Sequence, residues 1–176
     1  MASRRYGTDT VILTERYQLR PLTVYDVTDR YLGWFTAPGA EQIASARSMV
    51  SLADLRDYVA ERQHRSDVLF LGIFDREQGT HLGNVKFEPV NQAEGYAICG
   101  VFIGEVAARG GGTAGEAILG GARWLMAERG IRQILLGVDV DNEPAIRAYR
   151  KIGFKEGCPP QLPEHPRIVR MVLDVQ

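Results

Sequence analysis

Cysteine is scarce in this chain, limited to Cys99 and Cys158. The two stand far apart and form no Cys-x-x-Cys pair, so neither a disulfide framework nor a zinc site is indicated. An excess of one charge is lacking too. The formal net charge is −1 at pH 7, which removes the general case for nucleic-acid binding by an overall basic surface. No apolar run approaches the roughly 20 residues that a membrane-spanning helix needs. Residues Met1 to Thr10 are polar and hold no apolar stretch of the signal-peptide kind. The expectation is a cytoplasmic protein without membrane association. Internal repeats and low-complexity segments are absent as well. What is present is 45% apolar and 24% charged residues in a chain of 176, a composition that supports a globular core. We expect a loose tail over residues 1–9 and one domain over residues 10–176.

Taken in order, Val11 to Leu22 reads as a first strand. Thr23 with Asp26, and Ser51 with Asp54, are capping signals that open two helices. The first carries Val24, Val27, Tyr31 and Trp34–Phe35 at helical spacing and is broken by Pro38-Gly39. The second runs to about His64. Between them, Ala40 to Val50 has no clear period. Val68 to Phe74 is a nearly continuous apolar run, hence a buried strand. His81 to Val90 alternates, with Leu82, Val85 and Phe87 on one face and Asn84, Lys86 and Glu88 on the other. Tyr96 to Gly104 completes a three-stranded meander. A helix over Thr113 to Arg129, closed by Gly130, follows. Next come a strand over Ile131 to Val140 and a helix capped by Asn142 with Pro144 in its first turn. A short strand over Phe154 to Cys158 and a last one over Arg167 to Val175 end the chain. This order predicts an α/β (α+β) domain. Its mixed sheet would have about seven strands and about four flanking helices.

The stretch Arg109-Gly110-Gly111-Gly112-Thr113-Ala114-Gly115-Glu116 joins the third meander strand to a helix start. First-turn N–H groups have no partner inside a helix, and the helix dipole adds positive potential there. Glycines let a phosphate approach the backbone closely, and Arg109 can fork onto its oxygens. Gly110, Gly112 and Gly115 satisfy the dinucleotide fingerprint G-x-G-x-x-G literally. That reading fails on context: Glu105 to Arg109 separate strand from glycine, and Asp139 comes too late for the ribose acid. A P-loop fails because no Lys-Ser/Thr follows the glycines.

A second motif decides among the readings. Asn142-Glu143-Pro144-Ala145-Ile146-Arg147-Ala148-Tyr149-Arg150-Lys151-Ile152-Gly153-Phe154 fits Asn-x-x-Ala-x-x-x-Tyr-x-x-x-Gly-Phe. Together with Arg109-x-x-Gly112-x-Ala114, it resembles the GNAT family of N-acetyltransferases, and the order of elements from Val11 onward does so too. The resemblance implies acetyl-CoA as cosubstrate, with no metal. It implies that the loop Arg109, Gly110, Gly111, Gly112, Thr113, Ala114 and Gly115 holds the pyrophosphate. Phe102 and Ile103 would line the pantetheine arm where the fourth and fifth strands splay. Asn142 would contact the pantetheine or hold the splayed end, and Tyr149 would be the general acid near the CoA sulfur. One residue more than usual lies between Ile103 and Arg109, which loosens the inference for the strand contacts.

Acetyl transfer from a thioester to an amine needs a neutral amine, a stabilised carbonyl oxygen and a proton for the leaving thiolate. Tyr149 can supply that proton, because phenols and thiols are close in acidity. Its alternative reading is a core aromatic on the helix stripe. Glu88, on the polar face of its strand, is the candidate base, and the same face read as merely solvated is its alternative. His165, in the proline-rich loop before the last strand, is a second candidate base, with an exposed loop histidine as its alternative, and Lys86, Asn84 and His165 are candidate substrate contacts. Members of the family also use a water chain as base. Cys99 reads as a small buried residue, not as a nucleophile.

The opening Thr14-Glu15-Arg16-Tyr17-Gln18-Leu19-Arg20-Pro21-Leu22 is similar to the branch that contains ribosomal-protein N-terminal acetyltransferases. Asp26-Val27-Thr28, Tyr31-Leu32-Gly33-Trp34, Gly83-Asn84-Val85-Lys86 and Gly100-Val101-Phe102-Ile103-Gly104-Glu105 are similar to members that acetylate amino groups on nucleotide-linked sugars. The expected acceptor is therefore a small-molecule amine, with a protein N-terminus as the alternative. A CoA-binding module without catalysis is the alternative of a different class. Dimers are common in the family, and a homodimer pairing its last strands is one such arrangement.

Overall fold

A computed structural model describes residues 10–36 and 49–176. The tail expected over residues 1–9 and the break expected at Pro38-Gly39 lie outside the described residues. Within them, the expected first strand is a hairpin of two strands, β1 (Ile12–Leu13) and β2 (Tyr17–Pro21). Thr14 makes the turn. Its N–H donates to the Tyr17 carbonyl at 2.9 Å, and its hydroxyl accepts from the Tyr17 N–H at 3.1 Å. The split brings the described strands to eight, against about seven expected.

The first expected helix is also divided. Asp26 accepts from Thr23 N at 2.8 Å and from its hydroxyl at 2.9 Å, but only a 3-10 turn over Val24–Asp26 follows. Thr28 then caps a separate helix, α1 (Asp29–Gly33), by accepting from Tyr31 N. α2 (Leu52–Gln63) starts where Ser51 and Asp54 signal it, with Ser51 Oγ accepting from Asp54 N at 3.1 Å. The meander is β3 (Leu69–Asp75), β4 (His81–Asn91) and β5 (Tyr96–Ile103). α3 (Thr113–Arg129) ends on Gly130, whose φ of +67° is the left-handed geometry of a helix stop. β6 (Gln133–Asp139), α4 (Glu143–Lys151), β7 (Lys155–Glu156) and β8 (Ile168–Asp174) complete the chain.

The strands form one sheet in the order β1-β2-β3-β4-β5-β6-β8-β7. Neighbours are antiparallel except β5 and β6, which run parallel and pair only from Tyr96↔Gln133 to Ile98↔Leu135. Beyond that point β5 continues on β4 as far as Ile103↔Gly83, and β6 continues on β8 as far as Asp139↔Ile168. The sheet therefore splays between β5 and β6. With β1 and β2 counted as the one strand expected, these are the fourth and fifth. The last strand is not an edge strand: β6 covers it along its length on one side, and β7 covers Met171 and Val172 on the other.

Each face of the sheet has its own core. α3 buries Ala117, Ile118, Ala122 and Leu125 completely against Leu71, Ile73, Val85 and Phe87. Burying one such large aliphatic side chain contributes about 1.5–3 kcal/mol. On the other face α1 and α2 bury Tyr31, Trp34, Leu55 and Val59 with Leu22 and Phe74. Among the described residues, no helix is long and apolar enough to cross a membrane.

Candidate active site

Two structures frame the cleft: the glycine loop at the start of α3 and the parting of β5 from β6. After β5 the chain makes a 3-10 turn over Val106–Ala108 and enters the loop. Gly110 and Gly112 have φ of +78° and +84°, values that side chains rarely adopt. A Cβ on Gly110 would meet nothing within 4 Å, so the space in front of the loop is open. The first backbone bond of α3 runs from Glu116 N to Gly112 O at 3.0 Å. The N–H groups of Thr113, Ala114 and Gly115 thus stand before the helical ladder and face the helix terminus. Gly115 is buried, and a Cβ there would come 2.9 Å from Ile152, so the residue is small to let α4 approach. These features fit the diphosphate of a coenzyme A.

Two side chains of the loop behave differently from expectation. Arg109 turns back on its own strand: Nε donates to Ile103 O at 3.0 Å and Nη2 to Gly104 O at 3.2 Å. It closes the end of β5 rather than reaching forward over the loop. The cation beside the glycines is Arg16, from the β1–β2 turn, whose Nη1 donates to Gly111 O at 2.9 Å. No motif singled out Arg16, because it is 95 residues away in sequence. The Thr113 hydroxyl is also spent internally, donating to Ala108 O at 2.7 Å and lying 2.9 Å from the Tyr17 hydroxyl.

Of the expected lining residues, Phe102 and Ile103 point to opposite faces of β5. The Phe102 ring sits 6.1 Å from Trp34 and 5.8 Å from Phe35, on the α1 side. Ile103 packs against the core on the α3 side. Asn142 caps α4, its Oδ1 accepting from Ala145 N at 3.3 Å. That places it just past the end of β6, at the start of α4.

Tyr149 lies on the half-buried face of α4, its ring 5.8 Å from Phe154. Burial, with a smaller effect from the Cys99 thiol, pushes its phenol up to about 12. Cys99 follows directly on the last β5 residue paired to β6. Burial pushes its thiol well up, so it stays a neutral SH and no nucleophile. Cys99 and Tyr149 therefore stand together where the strands part, both protonated.

The polar row of β4 faces α1 and α2. Glu88 is gripped by three cations: Lys86 Nζ at 2.8 Å, Arg62 Nε at 3.2 Å, and Arg65 Nη1. Burial alone would raise its proton affinity, but these partners hold the carboxyl below the usual range. A carboxylate so stabilised is poorly suited to take a proton from an ammonium. Lys86 also reaches the Tyr58 hydroxyl at 3.2 Å. Asn84 is buried at 6% exposure, so its amide serves the interior. Nδ2 donates to the Tyr31 hydroxyl at 2.8 Å, and Oδ1 lies 2.9 Å from His81 Nε2. His165 is exposed in its loop, its Nδ1 accepting from Arg167 N at 3.2 Å. The structure thus brings Lys86 and Glu88 together, buries Asn84, and leaves His165 apart.

Sequence reasoning missed His81. It stacks on Phe74 at 4.7 Å and meets Tyr31 and Trp34 edge-on or tilted, at 5.1 and 4.8 Å. Its position at the first residue of an alternating strand gave no sign of burial. Among the described residues, no group of His, Cys, Asp and Glu side chains could hold a metal ion.

Comparison with known proteins agrees with this geometry. The acetyltransferase (GNAT) domain family matches residues 16–155. The mycothiol acetyltransferase of Saccharomonospora viridis is 34% identical over 113 residues, which cover 62% of this chain and 37% of that protein. The chain thus spans little more than a third of that relative. Among solved structures, a putative ribosomal-protein-serine acetyltransferase from Vibrio cholerae superposes with a TM-score of 0.78 at 16% identity, over 96% of this chain and 99% of the other. RimL, a ribosomal L7/L12 alpha-N-protein acetyltransferase solved in complex with coenzyme A, gives 0.80 at 17%, over 94% and 98%. The splayed sheet, the open glycine loop and a family match over most of the chain lead to one assignment: the chain belongs to the GNAT acetyltransferase family.

Proposed function

We propose that the chain acetylates the primary amine of a small, hydroxyl-bearing acceptor of the amino-sugar type, seated between the polar row of β4 and helices α1 and α2. The observation that carries this reading is the floor at Gly100. Lys86 pairs with Gly100 across β4 and β5, so the two share a face. Gly100 is exposed, and a Cβ there would meet nothing within 4 Å. An acceptor can thus lie directly on the β5 backbone, one residue beyond Cys99. Its neighbours there are the Lys86 ammonium and the Tyr58 hydroxyl. Lys86 shares the Glu88 carboxylate with Arg62 and Arg65, and this rim offers hydrogen-bond donors suited to hydroxyls. The motif resemblance to enzymes of nucleotide-linked amino sugars supports the same class. The curated relative, named for mycothiol rather than a protein, agrees with a small acceptor.

Acetyl-CoA supplies the activated acyl group, and the chain's residues do the rest. The first-turn N–H groups of α3 hold the diphosphate. Tyr149 keeps a proton on its phenol oxygen beside the parting strands and delivers it to the departing sulfur. With Glu88 bound to three cations, we assign the amine's proton to water rather than to that carboxylate.

The test is free-thiol release from acetyl-CoA across a panel of nucleotide-linked amino sugars, other small amines and short peptides. Release with amino sugars and not with peptides is expected. Release with peptides alone would move the acceptor to a protein N-terminus. Binding of acetyl-CoA with no transfer to any amine would favour a non-catalytic module.

A further inference from the structure

The hairpin β1–β2 is wired into the glycine loop. Glu116, in the first turn of α3, receives three donors from it: Thr14 Oγ1 and Arg16 N on Oε1, both at 2.7 Å, and Arg16 Nε on Oε2 at 2.8 Å. Arg16 Nη1 donates to Gly111 O at 2.9 Å, and a Cβ on Gly112 would come 3.5 Å from Nη2. Tyr17 adds its hydroxyl contact to Thr113. Arg76 fixes the turn itself, with Nη1 donating to Thr14 O at 2.8 Å.

Two physical consequences follow. The Gly111–Gly112 peptide is trans, as the only cis bond described is Glu88-Pro89. In a trans peptide the carbonyl and the following N–H point in opposite directions. Holding the Gly111 carbonyl toward Arg16 therefore aims the Gly112 N–H away from it, toward the open side of the loop. The second consequence is electrostatic. A carboxylate near a helix N-terminus competes with a bound anion for the same positive potential. Here Arg16 and Thr14 draw both Glu116 oxygens to the hairpin side and offset their charge.

We propose that Arg16 is a positioning residue for the cosubstrate: it orients the Gly111–Gly112 peptide and neutralises Glu116, so that the loop accepts the diphosphate of coenzyme A. This rests on the reading of the glycine loop as the diphosphate site. It assigns to the N-terminal hairpin a part in cosubstrate affinity that no motif in that hairpin announces.

The experiment is calorimetric titration of coenzyme A alone into the wild type, Arg16→Gln and the double variant Arg16→Gln/Glu116→Gln. Thermal melts accompany each titration. Loss of one charge-assisted tether is expected to weaken binding about tenfold in Arg16→Gln. Turnover at saturating acetyl-CoA and the acceptor KM should stay within about twofold. The double variant removes the carboxylate charge that the Arg16 side chain no longer offsets and should regain part of the lost affinity. A merely structural role would give no such regain and would lower turnover along with stability. Arg16→Gln binding as tightly as the wild type overturns the proposal, and so does a double variant weaker than the single one. Should Arg16→Gln lose its cooperative melt, Arg16→Lys serves instead. It keeps the charge but cannot fork, so weakening of about threefold is expected, and wild-type affinity refutes the assignment. Failure of the wild type itself to bind coenzyme A would count against the loop reading, a separate result from any Arg16 effect.

Discussion

The indole of Trp34 fills the space that a side chain on Gly104 would need: Cδ2, Cε2 and Cε3 all press on that position. The same indole donates through Nε1 to Glu105 Oε1 at 2.8 Å, and Arg30 Nε reaches that oxygen at 2.7 Å. Helix α1 is thereby pinned to the segment between β5 and the glycine loop, so the acceptor side and the cosubstrate side share one joint.

Gly104→Ala should push a methyl group into the ring. Overpacking of this kind costs about 1–3 kcal/mol. Adding Trp34→Phe should return part of that loss, although Trp34→Phe alone removes the bond to Glu105 and is itself destabilising. Thermal melts of the four proteins decide this, and strictly additive losses would show that the two residues do not share the space.

Much of this architecture was legible from the chain. Ser51 with Asp54, Asn142 with Pro144, and Gly130 are local signals whose caps act within a few residues, and the helices they bound are where they indicate. The glycine loop and the Asn142-to-Phe154 motif likewise pointed to the family. What stayed hidden depends on distance in sequence. Thr14 breaks the first strand partly because Glu116, 102 residues on, takes its hydroxyl. Arg16 reaches the loop for the same reason. Glu88 read as a free acid because its partners Arg62 and Arg65 stand on and just after α2, a helix whose docking no local pattern reveals.

Tyr149→Phe should lower turnover by about 10²-fold, a usual share for a positioned acid. Coenzyme A affinity should be nearly unchanged, since the phenyl ring keeps its packing on Phe154. With its phenol pushed up to about 12, Tyr149 remains protonated across the working range and should impose no loss of activity below about pH 10. A turnover equal to wild type would remove Tyr149 from the chemistry.

Glu88→Gln separates structure from catalysis. Glu88 has a folded-state proton affinity below its ordinary value of 4.5. Its stabilising contribution is therefore present above that pH and lost as pH falls through the lower folded value. The variant should lose about 1–3 kcal/mol at neutral pH by stripping Lys86, Arg62 and Arg65 of their shared acceptor. It should also show a flatter acid transition in urea melts. The acid limb of the turnover profile should keep its midpoint. A shift of that midpoint would restore Glu88 as the base.

His81 gives a second, distinct pH window. Burial, only partly opposed by its contact with Asn84, lowers its proton affinity from the ordinary 6.5. The unfolded chain then binds more protons than the folded one just below that value. Stability from the neutral ring is present above pH 6.5 and is lost as pH falls toward the lower folded value. This loss begins well above the range in which the carboxylates act, so the two are separable. His81→Gln can still donate to Asn84 but cannot titrate. It should give a flat dependence of Tm between about pH 5 and 6.5, where the wild type slopes downward with acid. The variant should be less stable at neutral pH, because the stack on Phe74 is gone. Equal slopes in the two proteins over that interval would mean that His81 is solvated and protonates freely, and the aromatic enclosure formed by Phe74, Tyr31 and Trp34 would then have to open in solution.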